Sequence, residues 1–231
     1  GYVLKVYPGQ ELIFKEKGYL FSNSPIYFSG TNKKPIKVFG KSKGNSINII
    51  DAEFKSNFSN VEFNNLSTDL SNKLPYSGGI NIYNSDIEIS DCIFNSNYSE
   101  DNINIVKSNF LILNSTFFES YSDAIDIDFS NGSLKNILVK NSGNDGIDFS
   151  GSEIIMDNIN IINSNDKAIS IGESSKVNSK NINLKRNFIG IAVKDGSSFF
   201  GNKINSFDNK YNFVLFKKKK EYKYPLATID N

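Results

Sequence analysis

The sequence predicts an all-β chain wound as one right-handed parallel β-helix, with about 22 residues per coil. Three observations predict it. Ile80, Ile103, Ile125, Ile147, Ile169, Ile191 and Phe213 follow one another at intervals of 23 and then 22 residues. Two residues after each stands a second apolar residue: Ile82, Ile105, Ile127, Phe149, Ile171, Val193 and Leu215. Apolar residues at i and i+2 mark a short strand with one buried face. The third observation is a polar ladder in the same register, Asp91, Asn114, Asn136, Asn158 and Asn181. A strand that returns at a fixed interval is the signature of a solenoid. Parallel strands joined by crossovers wind right-handed in nearly all cases.

The coils follow from their anchors. They run over residues 86–108, 109–130, 131–152, 153–175 and 176–197, and each suits three short strands and three turns. Asparagine accepts bend conformations and carries both donor and acceptor, so stacked asparagines bond from coil to coil within a turn. The ladder predicts a largely buried Asn136. Ser120, Ser142 and Ser164 form a further stack. Towards the N-terminus, "LKVYPGQELIF" and "PIYFSGTNKKPIKVFG" alternate apolar and polar residues around Gly and Pro turns, and read as the first coils. Residues 66–77 interrupt the register and read as an inserted polar loop. "KKKKEYKYP" interrupts it again after Phe216, either as a charged loop that discourages edge pairing or as a contact for an anionic polymer. Residues 225–231 read as the start of another strand.

Composition narrows the function. The 231 residues fit a single β-helix domain over 1–231, itself open to being part of a longer protein. With 26 basic and 25 acidic residues, net charge is +1, which argues against nucleic-acid or membrane-surface binding. There is no histidine, so His-based triads, His general bases and His-ligated metals are excluded within the chain. The single cysteine, Cys92, excludes an internal disulfide. No apolar run is long enough for a membrane-spanning helix, and none is expected. The chain begins at Gly1, which leaves a removed signal peptide or an upstream domain of the same protein open.

Candidate chemistry lies on the anchor strand. Its second position points outward and reads Asn81, Asn104, Asp126, Asp148, Ser170, Ala192. Two residues on, the same face reads Tyr83, Val106, Asp128, Ser150, Gly172, Lys194. Asp101, Asp123, Asp145 and the pair Asp166-Lys167 precede the strands. Asp126 and Asp148 are expected one coil rise apart, where like charges repel. Three readings follow. Asp126, Asp128 and Asp148 bind a metal, with Ca²⁺ the candidate cofactor because it takes several oxygen ligands. Alternatively one carboxyl stays protonated as a general acid beside an ionised partner. Or the side chains splay into water as ordinary turn chemistry. Lys167 and Lys194, on the next coils, would orient an anionic sugar or neutralise the cluster.

"SDAIDID", "GNDGIDFSGS", "DKAISIG" and "GIAVKD" resemble the motif run of polygalacturonase-type glycoside hydrolases. By position, that family's first Asp falls on Asp123 and its Asp pair on Asn144 and Asp145. Its histidine falls on Lys167, its arginine on Ala192 and its lysine on Lys194. These departures argue against hydrolysis by that mechanism. A longer resemblance covers almost the whole chain. "GGINIYNSDIEISDCIFNSNYSEDNINIVKSNF", the segments above and the late "KKKKEYKYP" are similar to the β-helix region accompanying CotH-like, kinase-related proteins in bacteria. That resemblance implies an exported, periplasmic or cell-surface bacterial module. It implies no kinase activity here, since the kinase-like part would lie upstream and no Gly-rich phosphate loop is present.

The leading expectation is therefore a module that binds a polysaccharide or other glycan without demonstrable catalysis. The alternatives are a polysaccharide-active hydrolase, lyase or epimerase using Asp126, Asp145 and Asp148 with Lys167 or Lys194, and a structural spacer.

Overall fold

The computed structural model describes residues 2–68 and 76–230. Among them there is no helix, and the chain forms a parallel β-solenoid of about nine turns. Every coil contributes one strand to a nine-stranded sheet that runs from Leu20–Ser22 to Tyr211–Phe216. Its register is the one the sequence predicts. Ile80 pairs with Ile103, which pairs with Ile125, and the series continues through Ile147, Ile169 and Ile191 to Phe213. The anchors from Ile80 to Ile191 are wholly buried, while Phe213 is half-buried on the last coil of this sheet.

The remaining strands form a second sheet folded into two arms. In the later coils one long strand spans both arms, as in Asn131–Ser142 and Glu153–Ser164. The fold line between the arms is the asparagine ladder. Asp91, Asn114, Asn136, Asn158 and Asn181 all have positive φ, between 48° and 57°. Short Asx side chains visit this left-handed region more readily than other non-glycine residues. The amides are stacked as expected: Asn136 Nδ2 donates to Asn114 Oδ1 at 2.7 Å, and Asn158 Nδ2 to Asn136 Oδ1 at 2.9 Å. Asn136 is nevertheless exposed, contrary to the sequence expectation. A left-handed corner turns the side chain out along the edge between two arms, where water reaches it.

The core is a stack of aliphatic side chains with an aromatic pile in the early coils. Phe63, Phe94 and Phe117 stack at centroid separations of 5.0 and 4.3 Å. Phe117 then pairs with Val139, and the aliphatic series takes over. Inside the corner after the nine-stranded sheet runs a serine ladder. Ser85, Ser108, Ser130 and Ser152 each accept no strain from positive φ; their backbone N–H groups donate to the hydroxyls of Ser108, Ser130, Ser152 and Ser175, all at 3.0 Å. These bonds satisfy buried turn amides that no strand partner reaches.

The first coils sit where expected, as Leu4–Val6, Glu11–Phe14, Ile26–Ser29 and Ile36–Gly40. Ile47 pairs directly with Ile80, a longer interval than later coils use. The insertion responsible is the expected loop at 66–77, of which 69–75 lie outside the described residues. The lysine run after Phe216 is a turn. The backbone amides of Lys218 and Lys219 donate to Asp195 Oδ1 at 2.7 Å, and Lys219 pairs with Glu173. Leu226–Asp230 then resumes the solenoid by pairing with Ser198–Asn202.

Candidate functional site

In the nine-stranded sheet the residues between the buried pairs face outward, in the register expected. Asn48, Asn81, Asn104, Asp126, Asp148, Ser170 and Ala192 form one column. The column is far less open than its direction suggests. Asn48, Asn81, Ser170 and Ala192 are wholly buried, and Asp126 and Asp148 are half-buried. Hydrogen bonds run along it. Asn81 Nδ2 donates to Asn48 Oδ1 at 2.9 Å, and Asn104 Nδ2 to Asp126 Oδ2 at 2.8 Å. Tyr83 Oη reaches Asn104 Oδ1 at 2.6 Å, and its ring meets Tyr76 edge-on at 5.2 Å.

A second column, just ahead of the strands, holds Asp101, Asp123, Asp145 and Lys167, all but Lys167 buried. Asp123 Oδ1 accepts the backbone N–H of Asp145 at 2.8 Å and Asn144 Nδ2 at 2.7 Å. Asp145 Oδ1 accepts the N–H of Lys167 at 2.9 Å and its Nζ at 3.2 Å. Each carboxylate thus ties down the turn of the next coil. Lys167 also pairs with Asp166. Lys194 lies one coil further, in the column of Asp128, Ser150 and Gly172, with the end of its side chain over the bare Cα of Gly172.

Withdrawal from water dominates the electrostatics, because burial penalises the charged form. Burial, aided by Asp101, Asp128 and Asp148, pushes the Asp126 carboxyl up to about 10. Asp101 is raised to about 8 by burial and by Asp123. Burial raises Asp145 to about 7, against the opposing pull of Lys167, and raises Asp128 to about 6. Burial also raises Asp123 and takes Tyr83 to about 12. Burial opposes the charge on Lys167, but Asp145 and Asp166 outweigh it and raise its pKa.

Among the described residues, the carboxylates that converge on one point are Asp123, Asp145 and Asp148, with an oxygen of each within 4.8 Å of the others. This is the set that could hold a cation. Of the expected trio Asp126, Asp128 and Asp148, it keeps only Asp148. Asp126, Asp145, Asp148 and Lys167 share one face, and Lys194 lies further along it beside Gly172, with no ion pair to these aspartates among the described residues. Among the described residues, Asp148 Oδ1 and Ser170 Oγ are buried without a hydrogen-bond partner, on paired positions of adjacent strands. The face therefore offers a neutral carboxyl, ionisable carboxylates, an ammonium and two unsatisfied polar atoms.

The sequence placed Asp123 ahead of its strand, and the glycoside-hydrolase resemblance set it beside Asp145, but the expected metal trio did not include it. Its recurrence with Asp101 and Asp145 at the coil interval was the available signal. The serine ladder is equally readable in Ser85, Ser108, Ser130, Ser152 and Ser175, at the same 22- and 23-residue intervals, though serine's abundance throughout the chain masks it.

No protein-family profile matches this chain, and no curated protein does. Several solved structures share its coiled outline at low similarity. The mannuronan C-5 epimerase AlgE4 A-module of Azotobacter vinelandii is 11% identical, with a TM-score of 0.39, and the match covers 100% of this chain and 86% of that one. An alginate lyase from Paenibacillus sp. is 10% identical, with a TM-score of 0.29 and coverage of 97% and 93%. The catalytic domain of a GH87 alpha-1,3-glucanase is 11% identical, with a TM-score of 0.30 and coverage of 98% and 64%. At these scores no residue-by-residue correspondence is drawn.

Proposed function

We propose that this chain is a glycan-binding β-helix module that holds a hydroxyl-rich polymer across the coils of the nine-stranded sheet, over Asp148 and Ser170. One observation carries this reading. Asp148 Oδ1 and Ser170 Oγ are buried, adjacent in register and without partners in the protein. Leaving such atoms unsatisfied costs about 1–3 kcal/mol each, and the half-buried Asp148 is the one of the pair whose carboxyl a ligand hydroxyl can approach. Tyr83 and Tyr76 at one end add ring surface with a polar edge. An exported, surface-facing placement, with a further domain upstream, goes with this reading, as does the link to CotH-like bacterial proteins that the motif succession suggests. The test is affinity electrophoresis against acidic and neutral polysaccharides. Retardation by one of them, lost in Asp148→Asn at unchanged melting temperature, supports the proposal. Equal mobility of parent and variant in every gel favours the spacer instead.

A second reading, a polysaccharide-active enzyme, is favoured by Asp126. Its carboxyl, held near 10, keeps its proton at neutral pH beside Asp128, raised only to about 6. A proton donor next to a base is the minimal equipment for glycosidic or uronate chemistry. Release of sugar, or of unsaturated product, by the parent but not by Asp126→Asn would establish it, provided the variant still binds.

A further inference from the structure

The turn leading into the acidic sheet carries a separate feature. Tyr98, Tyr121, Gly143, Asn165, Phe188 and Lys210 form one column. From Tyr121 onward each donates its backbone N–H to the preceding coil, at Asn97, Ser120, Ser142, Ser164 and Asn187 in turn. Tyr98 and Tyr121 are 61% and 70% exposed, with ring centroids 6.5 Å apart. The column then shrinks to Gly143 and Asn165 before Phe188 restores an aromatic ring. Lys210 Nζ lies 4.7 Å from the centre of that ring, and Tyr211 meets it edge-on at 5.8 Å. Tyr121 and Phe188 are three coil rises apart, about 14 Å.

An open groove of about 240 Å³ lies at Gly143 and Asn165, lined by polar residues of the coils at 119–120, 141–143 and 163–165, and the exposed Tyr121 flanks it next to Ser120 without lining it. One wall is a ladder of left-handed residues: Asn141 Nδ2 donates to Glu119 Oε1 at 2.6 Å, and Asn163 Nδ2 to Asn141 Oδ1 at 2.8 Å. The gap is fixed by the backbone, because a Cβ at Gly143 would stand 2.0 Å from the carbonyl oxygen of Tyr121. The lining is polar and carries one carboxylate, Glu119, with no lysine or arginine. That suits a neutral ligand and not a phosphate or uronate. Its volume falls below the roughly 300–1,000 Å³ of drug-sized sites and matches a single sugar ring. Tyrosine beside stacked amides offers a flat face and a hydrogen-bonding edge, the two surfaces of a pyranose.

We propose that this groove is a second sugar subsite, which takes one neutral hexose ring of a glycan with Asn141 and Asn163 bonding its hydroxyls, while the exposed ring of Tyr121 at the rim covers the adjoining part of the glycan. The inference rests on the glycan reading above but uses none of its residues. Its test is titration calorimetry of the full chain with cello-, xylo- and N-acetylglucosamine hexamers and with hexagalacturonate. Tyr121→Ala and Asn163→Gly, the latter keeping the left-handed backbone, should each weaken the best neutral hexamer by about tenfold at unchanged melting temperature. If neutral binding survives both variants and is lost in Asp148→Asn, the groove is not a subsite while the glycan reading stands. If hexagalacturonate alone binds, the groove is again ruled out. If the parent binds no hexamer but is retarded by a polysaccharide in affinity electrophoresis, the groove is ruled out and the glycan reading stands; if neither occurs, both fall.

Discussion

Asp126 and Asp148 occupy paired positions on adjacent parallel strands, yet their oxygens meet opposite fates. Asp126 accepts a hydrogen bond from Asn104, which is itself held by Tyr83. Asp148 Oδ1 is buried and meets no donor. Two carboxylates one coil rise apart do not both ionise freely. Burial and the surrounding aspartates push the Asp126 carboxyl up to about 10, so that it keeps its proton at neutral pH.

That retained proton gives stability a definite pH dependence. The folded pKa values of Asp126, Asp101, Asp145 and Asp128 lie above the unfolded value of about 3.9. Between the two values the folded chain binds more protons, so stability falls as pH rises. The melting temperature should drop from about pH 5 to about pH 8. Asp126→Asn, which needs no proton, should flatten that slope and raise the melting temperature at about pH 8. A profile that climbs with pH would contradict the assignment.

Lys167 and Asp145 form a pair with side chains only 15% and 4% exposed. Removing one member of a buried pair strands the other charge, at about 3–5 kcal/mol. Lys167→Met should show this loss in urea denaturation at about pH 8. The loss should shrink below about pH 7, as Asp145 takes up a proton, and vanish in an Asp145→Asn background.

Asn136 is held by its corner and not by burial. Asn136→Gly retains access to φ near 56° and should cost well under about 1 kcal/mol. Asn136→Val forces a β-branched residue into the left-handed region and should cost about 1–3 kcal/mol. Equal losses in guanidinium titrations would mean that the ladder bonds outweigh the backbone.

Ile147 is wholly buried between Ile125 and Ile169. Ile147→Ala should cost about 2–5 kcal/mol, since the stacked coils above and below leave little room to collapse. Ile147→Asp should fail to fold, and a native circular-dichroism melt from that variant would refute the register.

The sequence by itself determined the coil, its period and its register. The reason is local: alternation at i and i+2 fixes which way each side chain points, and a constant interval fixes what it stacks upon. Thus Ile80 through Phe213, the Asp126–Asp148 pairing and the Asn114–Asn136–Asn158 bonding were all legible. Exposure was not. Asn136 and Asn81 both belong to coil-spaced polar ladders, yet one lies in water and the other is sealed. Only the tertiary structure decided this, because covering a residue is the work of neighbouring columns contributed by other parts of the chain. The same holds for the acidic face. Which aspartates converge, which keep their protons and which oxygens go unpaired depend on desolvation by surrounding coils, a non-local quantity that spacing along one chain does not carry.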